Sequence, residues 1–180
     1  MNKPNIILIF ASSIDGRLSF PSNRSSNIGS LEDKKILNDA MSKVDATIFG
    51  SGTLKVHQST FLIKKFIDEK KFIIKNKQPI SIIAGNPNNF KKEWIYFNQP
   101  IKRWLINSKP EKFSKDLNFD KEFFYENSWL QTLANLKKEG IKKIALLGGA
   151  KLIHSFIMEN LIDEIKITIA PIIIGGKYIW

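Results

Sequence analysis

Ile141-Lys142-Lys143-Ile144-Ala145-Leu146-Leu147-Gly148-Gly149-Ala150-Lys151-Leu152-Ile153 reads as a buried strand that runs straight into a glycine pair and then a helix over 150–160. A strand apolar on both faces belongs inside a parallel sheet covered by helices. The glycine pair lets backbone N–H groups approach an anion, and the helix N-terminus adds a favourable potential for phosphate. The spacing differs from the G-x-G-x-x-G fingerprint, which argues against a first-strand Rossmann site. A tight strand-to-helix turn with no ligand accounts for the pair equally well from these residues alone.

Working outward, the same alternation recurs along the chain. Residues 5–11 form a first buried strand, followed by a polar, glycine-bearing loop through Gly29. Ser30 caps a helix that reaches about Lys43, with Glu32 and Asp33 in its first turn. Asp45 to Gly50 is a second strand, and Ser51-Gly52-Thr53 opens another turn or helix. A third strand at 79–84 ends in the breaker cluster Gly85-Asn86-Pro87-Asn88-Asn89. Shorter strands are expected at 101–106 and 122–125, a helix from Ser128 to Glu139, and a last strand over 164–174 around Pro171. Strands alternating with helices predict one α/β domain over 1–180, with a mostly parallel central sheet flanked by helices on both faces.

In an open α/β sheet, ligands sit beyond the carboxyl ends of the strands. Ala11-Ser12-Ser13, Gly50-Ser51-Gly52-Thr53, Gly85-Asn86 and Gly148-Gly149 all fall at that edge. Asp15 is the acid nearest these ends in the first loop, although Asp15-Gly16-Arg17 reads first as a turn. The adjacent Asp163 and Glu164 would point to opposite faces of a strand, which suits capping or surface charge better than paired acid–base work.

Composition narrows the chemistry. The chain has no cysteine and two histidines, His57 and His154, far apart, so disulfides and thiolate sites are excluded and no metal site is expected. Reactivity must then come from a bound cofactor. The net charge of +11 comes mostly from scattered lysines, which argues against nucleic acid and suits a small polyanionic ligand. No segment approaches the roughly 18 apolar residues that span a membrane. The apolar N-terminus reads as a strand and not a signal peptide, and a cytoplasmic protein follows by default.

These residues resemble a known family. Ala11-Ser12-Ser13-Ile14-Asp15-Gly16-Arg17 resembles the first-strand motif of the reductase domain of riboflavin biosynthesis, and residues 44–53 resemble its second-strand motif. Gly148 to Leu152, Leu161 to Glu164, and Ile169-Ala170-Pro171 through Gly175-Gly176 are similar to its third block, in order. The resemblance implies a dihydrofolate reductase-like fold, a homodimer, and NADPH as cofactor. It also implies reduction of the ribosyl C1′ of a phosphoribosylaminopyrimidine to a ribityl chain.

By position, the resemblance assigns Ala11, Thr53, Asn86, Gly148, Gly149, Ala150, Lys151 and Leu152 to the cofactor, with Lys91 and Lys92 near Asn86. It assigns Ser25 and Lys64 to the phosphorylated pyrimidine, and location makes Asp15 the candidate acid. The chain departs from the family at Met41, at His57-Gln58-Ser59 and at Leu147, where members carry an arginine, an acidic segment and an acid. It also stops just after its last glycine pair, whereas members continue for another strand or two. The alternatives are a dihydrofolate or pterin reductase, for which Glu32 or Asp33 could hold the ring, and a non-catalytic NADPH-binding homologue.

Overall fold

The computed structural model describes residues 2–18, 30–67, 71–88, 90–108 and 117–175. Seven of its strands form one sheet in which every pairing is parallel. In chain order the elements are β1 (Asn5–Ser13), α1 (Leu31–Met41), β2 (Ala46–Gly50), α2 (Ser51–His57), β3 (Lys64–Phe66), β4 (Phe72–Ile74) and β5 (Ile80–Ala84). They continue with α3 (Ile95–Asn98), β6 (Arg103–Asn107), β7 (Lys121–Phe124), α4 (Trp129–Lys138), β8 (Lys143–Gly148), α5 (Ala150–Met158) and β9 (Glu164–Ala170). The strand order is β7-β6-β5-β2-β8-β1-β9, and β3 and β4 form a separate antiparallel pair.

Alternation along the central strands explains the two cores. Ile6 and Leu8 of β1 pack with Ile48, Ile144 and Leu146 against Leu133 and Leu136 of α4 and Phe156 of α5. Ile7 and Ile9, one residue out of phase, pack with Ala145 against Ala40 of α1. Phe49, Ile83 and Leu105 continue that face under Leu54 of α2 and Tyr96 and Phe97 of α3. Both sides of each central strand are thus apolar, as a sheet sandwiched between helices requires.

The helix starts follow their capping residues. Ser30 Oγ accepts the Asp33 N–H at 3.2 Å and Ser128 Oγ accepts that of Gln131 at 3.3 Å. Asp45 is a staple below the sheet, its Oδ2 accepting the backbone N–H groups of Lys142 and Lys143 at 2.9 Å each. Asp163 does similar work, accepting from Ile6 N–H at 2.7 Å and from the Lys3 ammonium. Asp163 thus pins the start of β1, while Glu164, at the start of β9, pairs with Lys166 at 3.3 Å.

Two expectations change. The last strand ends at Ala170, because Pro171 has no N–H to continue a ladder. The β3–β4 pair and the short α3 were not foreseen from sequence. Helices flank both faces of the sheet as expected, and among the described residues the β9 edge has a face left open. Ile165, Ile167 and Ile169 lie on the α5 side, where register sets Ile165 beside Leu8, and all three are more than half exposed.

Candidate active site

The carboxyl ends of β1, β2, β5, β6 and β8 open into one cavity of about 1010 Å³. Its centre is made of glycine. Gly50 ends β2 and Gly149 follows β8, and a Cβ built on Gly149 would stand 3.5 Å from Gly50 N and 3.3 Å from Thr53 Oγ1. Gly149 has φ 88° and Gly148 has φ 135°, conformations that a side chain strains. Gly85, at the end of β5, has φ 131°, and a Cβ there would meet Ser51 Oγ at 2.5 Å. Two strand ends therefore touch main chain to main chain at Gly50 and Gly149, and Gly148 is open in space but needs glycine's positive φ.

From this junction α2 and α5 both start without a side-chain cap. The first N–H groups of a helix have no intrahelical partner, so here they face the cavity with the positive end of the helix dipole. Ala11, Thr53, Gly148, Gly149, Ala150, Lys151 and Leu152, all assigned above to the cofactor, line this one cavity. Asn86 does not. Its Oδ1 accepts the Asn88 N–H at 2.8 Å in an Asx turn, and Gly85 lines the wall in its place.

The cavity extends from the junction in two directions. Towards β6 and α4 it is bounded by Ser108, Tyr125 and Trp129, the two rings 4.8 Å apart. Towards α1 it is bounded by Asp33, Lys34, Leu37, His57 and Phe61. Thr168 of β9 donates its hydroxyl to Asp33 Oδ1, and register places Thr168 beside Ala11 on the α1 face. The aromatic wall and Lys34 went unread in the sequence. The aromatic pair has no spacing signal, and Lys34 is one lysine among many.

Three substrate-side assignments fare differently. Ser25 lies outside the described residues. Lys64 does not line the cavity, and its ammonium sits 3.8 Å from the centre of the Phe72 ring, an intramolecular cation–π contact. Asp15 is also absent from the cavity wall, and its carboxylate is filled with donors. Ser13 Oγ donates to it at 2.7 Å, Ile174 N–H at 3.1 Å and Gly175 N–H at 2.8 Å. The Ser13 hydroxyl first, then those N–H groups, hold the carboxyl at about 2. These bonds clamp the β1 loop to the chain beyond β9, away from the cavity wall.

A parallel sheet of this order, with uncapped helix starts and a cavity at its carboxyl edge, defines a dihydrofolate reductase-like α/β protein. The comparisons with known proteins agree. The family model of the RibD C-terminal domain matches residues 4–179, and the chain belongs to that family. It is 26% identical to the 2,5-diamino-6-ribosylamino-4(3H)-pyrimidinone 5′-phosphate reductase of Archaeoglobus fulgidus, covering 97% of this chain and 84% of that one. Identity to the riboflavin biosynthesis protein RibD of Haemophilus influenzae is 25%, over 97% of this chain and 49% of the relative. Acinetobacter baumannii RibD superposes with a TM-score of 0.82 at 21% identity, over 98% of this chain and 48% of that chain. The chain thus spans about half the length of the RibD polypeptides and most of the length of the archaeal reductase. No helix among the described residues is long and apolar enough to cross a membrane.

Proposed function

We propose that this chain is a single cytoplasmic reductase domain that uses NADPH to reduce the ribosyl group of a phosphoribosylaminopyrimidine in riboflavin biosynthesis. The observation that carries the reading is the glycine junction, where two uncapped helix starts and three strand ends converge in one cavity. Its main-chain donors fit a pyrophosphate, and a volume of about 1010 Å³ is large enough for a dinucleotide with a small partner. Gly148, Gly149, Ala150 and Lys151 would hold the pyrophosphate, with Ala11, Thr53 and Leu152 along the rest of the cofactor. When bound, NADPH supplies a hydride to C1′ of the ring-opened, protonated imine, leaving a ribityl amine and NADP+.

The chain's own residues bind and orient. Lys34 gives the phosphorylated substrate a cationic contact on the cavity wall, in the place once assigned to Lys64. Leu37, Phe61 and Leu147 supply the apolar surface that keeps water from the reacting carbon. The exposed isoleucines of β9 support a homodimer in which a second copy covers that strand. Ile167→Asp is expected to give monomers by sedimentation.

Titration with NADPH and NADH, followed by energy transfer from tryptophan, tests the cofactor. Saturable binding that favours NADPH is expected, with NADPH oxidation once the aminopyrimidine is added. Binding of neither nucleotide would overturn the reading. A pterin reductase is the second reading, and Asp33 on the cavity wall is the observation that favours it. Dihydrofolate offered in competition with the ribosyl substrate separates the two.

A further inference from the structure

The β3–β4 ribbon stands outside the central sheet, and no described residue of it lines the cavity. Its base is fixed at two points. Asn38 of α1 brackets Lys64, accepting its N–H at 2.6 Å and donating to its carbonyl at 2.9 Å. Gln78 brackets Ile63 in the same way, at 2.8 and 3.0 Å. Beyond that base every residue of β4 is exposed. The ladder pairs Lys65 with Ile73, and bonds from Ile67 N–H to Lys71 and from Lys75 N–H to Ile63 extend it at both ends. Opposed residues of an antiparallel pair share a face, as do residues two apart. Lys65, Ile67, Lys71, Ile73 and Lys75 therefore stand on one face, all of them exposed, Ile67 by 60% and Ile73 by 57%. The other face carries Lys64, Phe66, Phe72 and Ile74.

We propose that the first of these faces docks the protein onto an anionic lipid bilayer, with Ile67 and Ile73 entering the acyl boundary and Lys65, Lys71 and Lys75 meeting the headgroups. The inference goes beyond the reductase reading and does not depend on it. Charge decides the occupant. Residues 63–77 hold six lysines, at 64, 65, 70, 71, 75 and 77, against two acids, Asp68 and Glu69. Asp39 of α1 feels the charge of Lys75 but is bonded to Lys43 at 2.6 Å. A second copy of the same face would set lysine against lysine. Nucleic acid calls for aromatic faces on which bases stack, whereas both apolar groups here are aliphatic, and the Phe72 ring across the ribbon already carries the Lys64 ammonium. Protein interfaces favour arginine and aromatic residues and are depleted of lysine. A bilayer takes aliphatic side chains without a shaped pocket, while lysine stems let their ammonium groups stay at headgroup level. Because the base of the ribbon is already fixed, docking orders little of the chain.

The test is sedimentation of the whole chain with vesicles of phosphatidylcholine alone and with an equal mixture of phosphatidylglycerol and phosphatidylcholine. Binding is expected to the anionic vesicles only, weakening as salt rises. Lys65→Ala and Lys75→Ala are each expected to lower the partition coefficient about fivefold. Ile67→Asn combined with Ile73→Asn keeps every charge and is expected to lower it about tenfold or more. Lys137→Ala combined with Lys138→Ala, on α4, should leave it within about twofold, since the attraction falls off within a Debye length of the surface. An unchanged circular dichroism spectrum shows that each variant folds. Ile73→Trp adds a direct reporter, whose emission is expected to be quenched by lipids with brominated acyl chains. Failure to bind the anionic vesicles overturns the inference. So does binding that survives the double isoleucine change, or an equal loss from the α4 lysines, since either marks a response to net charge alone. Retention on single-stranded RNA without vesicle binding overturns it as well, and assigns the lysines to nucleic acid.

Discussion

At the glycine end of the cavity the surface offered to a ligand is main chain, whereas at the α1 end it is side chain. Gly50 and Gly149 meet backbone to backbone, and the helices beyond them present bare N–H groups. Asp33, Lys34, His57 and Phe61 reach the opposite end from two helices and a loop. A main-chain site depends on dihedral angles and close approach, so it is sensitive to one added methyl and tolerant of changes nearby. A side-chain site can be re-specified by exchanging one functional group while the fold stays as it is.

Four substitutions sharpen or break this contrast. The largest expected effect is at the side-chain end, where Lys34→Ala raises KM for the phosphorylated pyrimidine by about thirtyfold and leaves NADPH affinity unmoved. Gly149→Ala should do the converse. A side chain at φ 88° costs on the order of 1–2 kcal/mol, and the new Cβ would crowd Thr53 Oγ1 at 3.3 Å. About tenfold weaker NADPH binding is expected by fluorescence titration, with KM for the pyrimidine retained. If Gly149→Ala raised that KM instead, the two ends would not be separable.

Asp15→Asn has a smaller effect, read in stability and not in turnover. Its carboxyl is held at about 2, below the ordinary 3.8. Its stabilising contribution is therefore complete above pH 4 and is lost as pH falls towards 2. The wild-type melting temperature should drop across that window more steeply than that of Asp15→Asn, while kcat at neutral pH changes little. A large loss of kcat at neutral pH with stability intact would restore Asp15 to the reaction. Lys64→Ala is expected to change least, with KM for the pyrimidine within about twofold, since its ammonium lies on the Phe72 ring and exposed cation–π pairs contribute about 0.5–1 kcal/mol.

The same contrast explains what could be read from the sequence. Glycine at a strand end has few uses, so Gly50, Gly148 and Gly149 marked the strand-to-helix turns that line the cavity. The strands at 46–50 and 143–148 were legible because runs of apolar residues between breakers leave few alternatives. Asp33 was legible only as one of two acids in a first turn. Which of them faces the cavity depends on how α1 lies on β9, a pairing between distant parts of the chain. Lys64 was misplaced for the same reason, since position along the chain did not reveal the β3–β4 pair that turns it onto Phe72. Asp15 matched a motif, but its partners at Ile174 and Gly175 lie at the far end of the chain.

The register of β1 bears on how the molecule is made. Its neighbours in the sheet are β8, beginning at Lys143, and β9, beginning at Glu164. During synthesis at about 5–20 residues per second, β1 waits on the order of ten seconds for its partners. Throughout that interval Ile6-Ile7-Leu8-Ile9-Phe10 is an unpaired apolar segment, the kind that seeks other chains. Nascent chains of this protein therefore need a chaperone or a low concentration more than the finished molecule does, and refolding yield should fall with protein concentration well before native stability is in question.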